Sequence, residues 1–234
     1  MEQRTRQPGS LTRERMKTPR AAAVAGILFS VLLITSLILI WVSVPTDLNE
    51  AGSWLPRNWY TVNFALHLVP FAGIAFLWFM GVLRDRIGEY EDRFFATVFL
   101  GSGFLFLAML FASSAVAGGA LMVYGAAPDK LMGSGVYLFG RTVTYQLMNV
   151  YALRMAAVFM VSTCTLSIRT NIIPRWMALL GYVLATLLLL NTGHRYWIPL
   201  VFPLWVLLIS VHILLANLKP DVTAVPKSTN QMEA

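Results

Sequence analysis

Residues 21–44 read AAAVAGILFSVLLITSLILIWVSV and contain no charged side chain. An apolar run of about 20 residues is long enough to cross the hydrocarbon core of a bilayer as a helix. The run exceeds the roughly 7–15 apolar residues of a secretory signal, and no small-residue cleavage motif follows it. We therefore interpret it as a retained first membrane span.

The composition of the whole chain is also that of a membrane protein. Of its 234 residues, 57% are hydrophobic and 12% are charged, whereas a soluble domain has about 25% charged residues. The apolar residues form long runs without an amphipathic period. We predict an all-α bundle of six spans, at 21–44, 60–83, 95–120, 145–168, 174–191 and 197–216.

The distribution of Lys and Arg predicts the orientation of these spans. The N-terminal tail, the second-to-third loop, the fourth-to-fifth loop and the C-terminal tail together hold thirteen basic residues, against four on the other side. Basic residues stay on the cytoplasmic side. We thus expect cytoplasmic tails at 1–20 and 218–234 around a transmembrane domain at 21–217. The net charge of +7 follows from this arrangement, and no nucleic-acid partner is predicted.

Two stretches lead to expectations about packing. The third span contains the run GSGFLFLAMLFASSAVAGGA at 101–120, and small residues let membrane helices approach closely. We therefore expect the third span at the centre of the bundle. The connection at 121–144 is too apolar for a plain loop, so we expect a short interfacial or re-entrant helix there.

The ionisable residues exclude several chemistries. All eleven acidic residues lie in predicted tails or loops, whereas proton pumps and cation-coupled transporters usually place a carboxylate in the bilayer. The three histidines form no H-E-x-x-H motif and no Cys/His cluster. His67 and His212 differ too much in depth to hold one haem. We predict no metal, no cofactor and no catalytic residue, because no nucleophile–base pair is visible.

Arg154 is the one basic residue inside a predicted span, near the centre of the fourth. A central arginine costs about 2.5–3.5 kcal/mol, so it should face the bundle interior or a wet cavity. Tyr151 shares its helix face. We hypothesise an outward-opening cavity in the outer half, with Arg154 as its floor. It would bind, and could move, an anionic lipid or an amphipathic small molecule, because guanidinium suits phosphate and carboxylate.

Other polar residues of the outer half complete the predicted ligand-binding site. Asn63 and His67 are four residues apart and share one helix face. The remaining candidates are Gln146, at the start of the fourth span, and Arg141, His194 and Arg195, at the outer rim.

Other interpretations of the same residues stay open. Arg154 could bond carbonyls of a broken neighbouring helix near Pro70 or Pro203. It could instead pair with an acid on a membrane-protein partner, which would make the chain an accessory subunit of a larger complex. An enzyme acting on a lipid substrate is a further class. For His67 and His212, a core position with a bond to a backbone carbonyl is the plainer expectation.

Three stretches resemble a group of uncharacterised bacterial six-span integral membrane proteins. They are FGRTVTYQLMNVYALRMAAVFMV at 139–161, IRTNIIPRWMALLGYV at 168–183 and RIGEYEDRFFATVFLGSG at 86–103. The resemblance covers residues 60–190. It implies a multi-pass protein of the bacterial cytoplasmic (inner) membrane, and it implies no activity.

Overall fold

The structure, a computed structural model, describes residues 18–47, 50, 52–87, 93–131, 134–170, 173–191 and 197–218. Within these ranges every regular element is a helix, so the predicted all-α class is confirmed. In chain order the elements are α1 (Thr18–Ser43), α2 (Leu55–Ile87), α3 (Arg93–Ala126), α4 (Pro128–Leu131), α5 (Gly135–Gln146), a π segment (Leu147–Ala152), α6 (Leu153–Thr170), α7 (Arg175–Leu190) and α8 (Ile198–Leu218).

Five of the described helices are long and apolar enough to cross a membrane, which indicates a multi-pass membrane protein. They cover Ala21–Ser43, Leu55–Arg84, Ala96–Ala126, Gly135–Arg169 and Ile198–Ala216. By contrast, α7 has 16 residues, about 24 Å at 1.5 Å per residue, which is less than the ~30 Å hydrocarbon core. The count of six spans stays a prediction. Most of both predicted tails, at 1–17 and 219–234, lies outside the described residues.

One phenylalanine from each of five helices forms the centre of the bundle. They are Phe29 of α1, Phe76 of α2, Phe106 of α3, Phe159 of α6 and Phe202 of α8, and none exposes more than 1% of its surface. The ring centroids of Phe29 and Phe76 are 4.7 Å apart, and those of Phe106 and Phe202 are 4.8 Å apart. Aromatic pairs at such distances each contribute about 0.5–1.5 kcal/mol beyond their burial. This cluster therefore ties the five helices together.

The packing of α7 against α6 and α8 requires a glycine at position 181. A Cβ atom there would overlap Cys164 Sγ of α6 and would lie 2.7 Å from Trp205 Nε1 of α8. Both neighbours are buried, so neither can move aside at low cost. Gly181 thus lets the shortest of the apolar helices approach two others at once.

The prediction that the third span lies at the bundle centre is wrong. The most apolar window of α3 is 28% buried, the smallest share of the five, whereas that of Gly135–Arg169 is 61% buried. A Cβ atom at Gly101, Gly118 or Gly119 would meet nothing within 4 Å. Small residues permit close approach but do not require it. Gly103 does pack closely, since a Cβ atom there would overlap Met80 Sδ of α2. Further contacts of α3 with the core are made by the buried side chains of Phe99 and Phe106.

The connection at 121–144 is largely helical. α3 continues to Ala126, and the expected short helix is present as α4, at Pro128–Leu131. α5 begins after Ser134, whose hydroxyl accepts a hydrogen bond from the backbone N–H of Tyr137 at 3.3 Å. A side-chain oxygen before a helix satisfies one of its free N–H groups. From there the helix runs without a break into α6, so the helix that contains the predicted fourth span begins at Gly135, ten residues before that span.

Candidate functional site

A cavity of about 250 Å³ lies at the end of the bundle where α1 stops and α2 and α5 begin. Its walls come from α1, α2, α3, α5, the π segment and the first turn of α8. α1 packs on α2 and α8, whereas α5 packs on α3. Both α1 and α5 contribute to the lining, so they face each other across the cavity. The cavity therefore lies between two helix groups of one bundle.

Apolar side chains make up most of the lining. Leu33 and Leu37 of α1, Leu66 of α2, Leu110 of α3 and Met148 of the π segment are among them. This composition follows from the sequence, because the spans that surround the cavity have few polar residues to contribute. Apolar walls with few polar groups are typical of sites for hydrophobic ligands.

One wall carries hydroxyl and amide groups, and most of them are bonded to nearby backbone. Ser113 Oγ donates to the carbonyl of Thr144 at 2.9 Å and so joins α3 to α5. Ser114 Oγ donates to Leu110 O at 3.0 Å, and Asn149 Nδ2 donates to Tyr145 O at 3.1 Å. Thr144 Oγ1 is buried and has no hydrogen-bond partner among the described residues. A buried hydroxyl without a partner is costly, and this oxygen is covered by protein atoms, so it offers no polar contact to the cavity.

Arg141 lies at the rim of the cavity and ties α5 to the segment that follows α1. Its Nη1 donates to the carbonyl of Glu50 at 3.3 Å, and its Nη2 donates to the carbonyl of Pro45. Its Nη1 also lies 3.8 Å from Glu50 Oε2, with 11% and 23% of the two side chains exposed. The guanidinium fork thus binds two carbonyls and one carboxylate. Glu50 is held in turn by the backbone N–H of Ser53, at 3.1 Å.

Three further hydrogen bonds hold the same end of the bundle together. Trp54 Nε1 donates to Tyr137 Oη at 2.9 Å, and both residues line the cavity. Asn58 Nδ2 donates to the carbonyl of Ser43 at 2.6 Å, which links the end of α1 to the start of α2. Trp59 Nε1 donates to Leu121 O at 3.2 Å, which links α2 to α3. The rim is therefore a connected structure and not a set of loose loops.

Within the described residues, α8 begins below the level at which α1 ends. Gly26 of α1 lies against Ser210 of α8, because a Cβ atom at Gly26 would overlap Ser210 Oγ. From that level, α1 continues to Ser43, about 25 Å, while α8 extends back to Ile198, about 18 Å. α8 thus begins about 7 Å below the end of α1. Pro199 and Leu200, in its first turn, are the described lining residues on this side.

Of the predicted ligand-binding residues, Arg141 lines this cavity. Five others do not appear in the described lining, and two, His194 and Arg195, lie outside the described residues. The five are Asn63, His67, Gln146, Tyr151 and Arg154. The floor of the cavity, where we expected Arg154, is formed by apolar residues such as Leu33, Val69 and Leu110. A ligand-binding role of Arg154 stays a prediction, and it does not concern this cavity.

Arg154 is partly exposed and donates from Nη1 to Val150 O, at 3.3 Å. The acceptor belongs to the π segment of its own helix, not to a helix near Pro70 or Pro203.

His67 pairs through Nδ1 with the carbonyl of Asn63, at 2.7 Å. The expected bond to a backbone carbonyl is confirmed for His67. The expected core position is wrong, because this side chain is exposed.

Several residues of the cavity were not predicted, and the sequence gives little signal for them. Glu50 is 91 positions from Arg141, and nothing in the local pattern pairs them. Thr144 and Ser113 are single hydroxyls in apolar runs, which are ordinarily packing residues. Asn149 lines the cavity, and at about 100° per residue it lies about 140° around an α-helix from Arg154. That angle is the one local observation that could have placed the polar wall on a face without Arg154.

Comparison with known proteins gives no further guidance, because no family model, no curated protein and no solved structure matches this chain. The function has to be inferred from the chemistry of the cavity. In its described lining, hydroxyl groups are present but no histidine and no acid lies beside them. That lining is suited to binding a hydrophobic molecule and offers no nucleophile–base pair.

Proposed function

We propose that this multi-pass membrane protein binds an amphipathic lipid, with a hydrocarbon chain in the cavity between α1 and α5. The observation that carries the proposal is the apolar lining of a cavity of about 250 Å³. An apolar cavity of roughly 150 Å³ holds one benzene molecule, so this space has room for roughly ten carbon atoms. An acyl or isoprenoid chain has the matching shape and polarity.

The energetic gain from filling such a cavity supports the same ligand class. Contact energy in an apolar cavity is about 24 cal/mol per Å³, which gives an upper value of about 6 kcal/mol for a chain that fills this one. A polar ligand of that size would lose hydrogen bonds to water and recover few of them here. The amide of Asn149, which already donates to Tyr145 O, could satisfy few polar atoms of such a ligand.

The polar head of the ligand is placed at the rim, beside Arg141. Arg141 is the one cation in the described lining, so an anionic head is favoured there. Glu50 already neutralises this guanidinium. An anionic head therefore has to share Arg141 with Glu50 or displace it, and the hydrocarbon chain supplies most of the affinity.

The proposal includes an orientation in the membrane. Thirteen basic residues against four favour cytoplasmic termini, which places the cavity in the outer half of a bacterial cytoplasmic membrane. With both termini on one side, the number of spans is even, so α7, the fifth in chain order, has to cross as well to make six. Its 16 residues would cross by local thinning of the bilayer, as short helices do.

Photolabelling with a fatty acid that carries a diazirine in its chain tests the proposal. The purified protein is irradiated in detergent micelles with this probe, and the labelled residues are mapped by peptide mass spectrometry. We expect label on Leu33, Leu37 and Leu110, which line the cavity. An excess of unlabelled fatty acid should remove it.

The lipid-facing residues Ile74 and Trp78 provide the internal control, because they are 53% and 70% exposed and lie outside the described lining. Their labelling should persist under competition, since it reports nonspecific contact. If the cavity residues are labelled no more than these two, or if competition affects all of them equally, the proposed function is wrong.

A further inference from the structure

Arg154 lies close to mid-height of the bundle. The Phe159 ring centroid is 5.2 Å from that of Phe76, so these residues of α6 and α2 share a level. Both helices run in the same direction, and Arg154, five residues earlier, therefore lies at the level of Phe71. That residue is near the middle of the Leu55–Arg84 span. With the middle of this helix taken as the bilayer centre, the Arg154 Cα atom is about 15 Å from either edge of the ~30 Å hydrocarbon core. The guanidinium lies toward the N-terminal end of the helix, where it bonds Val150 O.

The guanidinium is poorly matched by the described residues. One of its five N–H donors has an acceptor among them, the carbonyl of Val150 in the π segment. None of the described acidic residues forms an ion pair with it. The side chain is partly exposed, and Tyr151, three residues earlier, exposes 57% of its surface. Arg154 and Tyr151 form what we call the Arg154 face.

We propose that the Arg154 face binds a transmembrane helix of another protein that carries an Asp or Glu at mid-height. Charge complementarity identifies the partner, because an intramembrane cation is stabilised by an opposite charge, and one carbonyl is the acceptor that the described residues give this guanidinium. The tyrosine hydroxyl can donate a second hydrogen bond to the same carboxylate. The π segment adds backbone carbonyls at this level, and such segments are frequent at functional sites.

Two other occupants fit less well. A lipid phosphate lies at the edge of the hydrocarbon core, about 15 Å from the level of Arg154, which is beyond the reach of one arginine side chain. A second copy of this chain cannot supply the anion, because its eleven acidic residues all lie outside the predicted spans. The partner is therefore a different protein. This inference does not depend on the proposed lipid cavity, whose lining excludes Arg154.

Site-specific photocrosslinking in the native membrane tests this interface. A photoreactive amino acid replaces Tyr151, and in a matched control it replaces Trp78, which is 70% exposed on α2. We expect an adduct with a membrane protein from position 151 and not from position 78. The crosslinked span of that protein should contain an Asp or Glu. Changing this acid to Asn or Gln should reduce the adduct by about tenfold or more, which corresponds to about 1.4 kcal/mol of coupling.

Variants at position 154 distinguish pairing from a merely structural role. Arg154→Gln should reduce the adduct to the same extent, and Arg154→Lys should retain most of it. Elution of each variant in size-exclusion chromatography shows whether it is folded. Combining Arg154→Glu with Lys at the partner's acidic position should restore the adduct.

The inference is overturned if position 151 captures only lipid, only a second copy of this chain or nothing. It is also overturned if the captured span lacks an acid, or if folded Arg154→Gln gives an undiminished adduct. Because fatty-acid labelling of the cavity is measured separately, either proposal can fail while the other stands.

Discussion

Replacing Ala117 by Leu should stabilise the protein and weaken its binding of a hydrocarbon chain. Ala117 lines the cavity on α3. The substitution adds three carbon atoms. A cavity of roughly 150 Å³ holds the six carbons of benzene, so three carbons fill about 75 Å³. At about 24 cal/mol per Å³, this filling stabilises the folded protein by up to about 2 kcal/mol. The ligand can then bury three fewer of its carbon atoms in the cavity. Each buried carbon contributes about 0.8 kcal/mol to binding, so Kd should rise about 50-fold.

Two measurements on one sample follow these opposite effects. Thermal unfolding in detergent should shift upward by about 4–8 °C, since 1 kcal/mol corresponds to about 2–4 °C for a chain of this size. Titration with a brominated fatty acid should quench the fluorescence of Trp41 and Trp54, which line the cavity, at about 50-fold higher concentration than in the parent.

The matched control is Ala157→Leu, in a part of α6 that is fully buried and outside the described lining. There the added carbons have no space, so the variant should be destabilised by about 1–3 kcal/mol while its quenching titration stays unchanged. A lower unfolding temperature for Ala117→Leu, or an unchanged titration, would refute the reasoning, because either result means that position 117 does not adjoin a fillable ligand space.

Three other outcomes are expected. Glu50→Gln removes the carboxylate beside Arg141. It should therefore raise the affinity for an anionic amphiphile, relative to a zwitterionic one, by about 3- to 10-fold, which corresponds to about 1 kcal/mol. Equal affinities of the two amphiphiles in a competition assay would contradict the placement of the head group at the rim. Gly181→Ala should lower the free energy of unfolding by about 1–3 kcal/mol. The control Gly101→Ala, whose Cβ atom would meet nothing within 4 Å, should leave the free energy of unfolding unchanged or slightly higher. Similar unfolding temperatures for the two variants would argue against the close packing of α7. In a Cys164→Ala background, Ser53→Cys should react with an impermeant thiol reagent in intact cells and Thr5→Cys only after lysis; the reverse pattern would invert the proposed orientation.

The sequence predicts the helices of this protein better than it predicts their arrangement. An uncharged run such as 21–44 has one stable conformation in a bilayer, because only a helix satisfies its backbone hydrogen bonds internally. The helix that contains the fourth span begins at Gly135, ten residues before the predicted span, because Arg141 and the hydroxyl residues near it lower the hydropathy of 135–145 without ending the helix. The six-residue π segment before Leu153 has no signal in residue type or spacing.

The site was harder to predict than the helices, since it depends on which helix faces meet. Arg154 attracted the prediction because an intramembrane charge is costly and conspicuous. The cavity is instead formed by ordinary leucines of several helices, which no local pattern marks as a group. Arg141 was predicted from its position at a span edge, but its partner Glu50 is brought to it only by the fold.

Native mass spectrometry of the protein, extracted gently from its own membrane, tests the central claim most directly. The account predicts one retained lipid per chain in the parent protein and a clear loss of that lipid in Ala117→Leu, with Ala157→Leu retaining it. A bare chain in the parent, or a retained lipid that Ala117→Leu does not affect, would contradict the claim that the cavity between α1 and α5 binds a lipid.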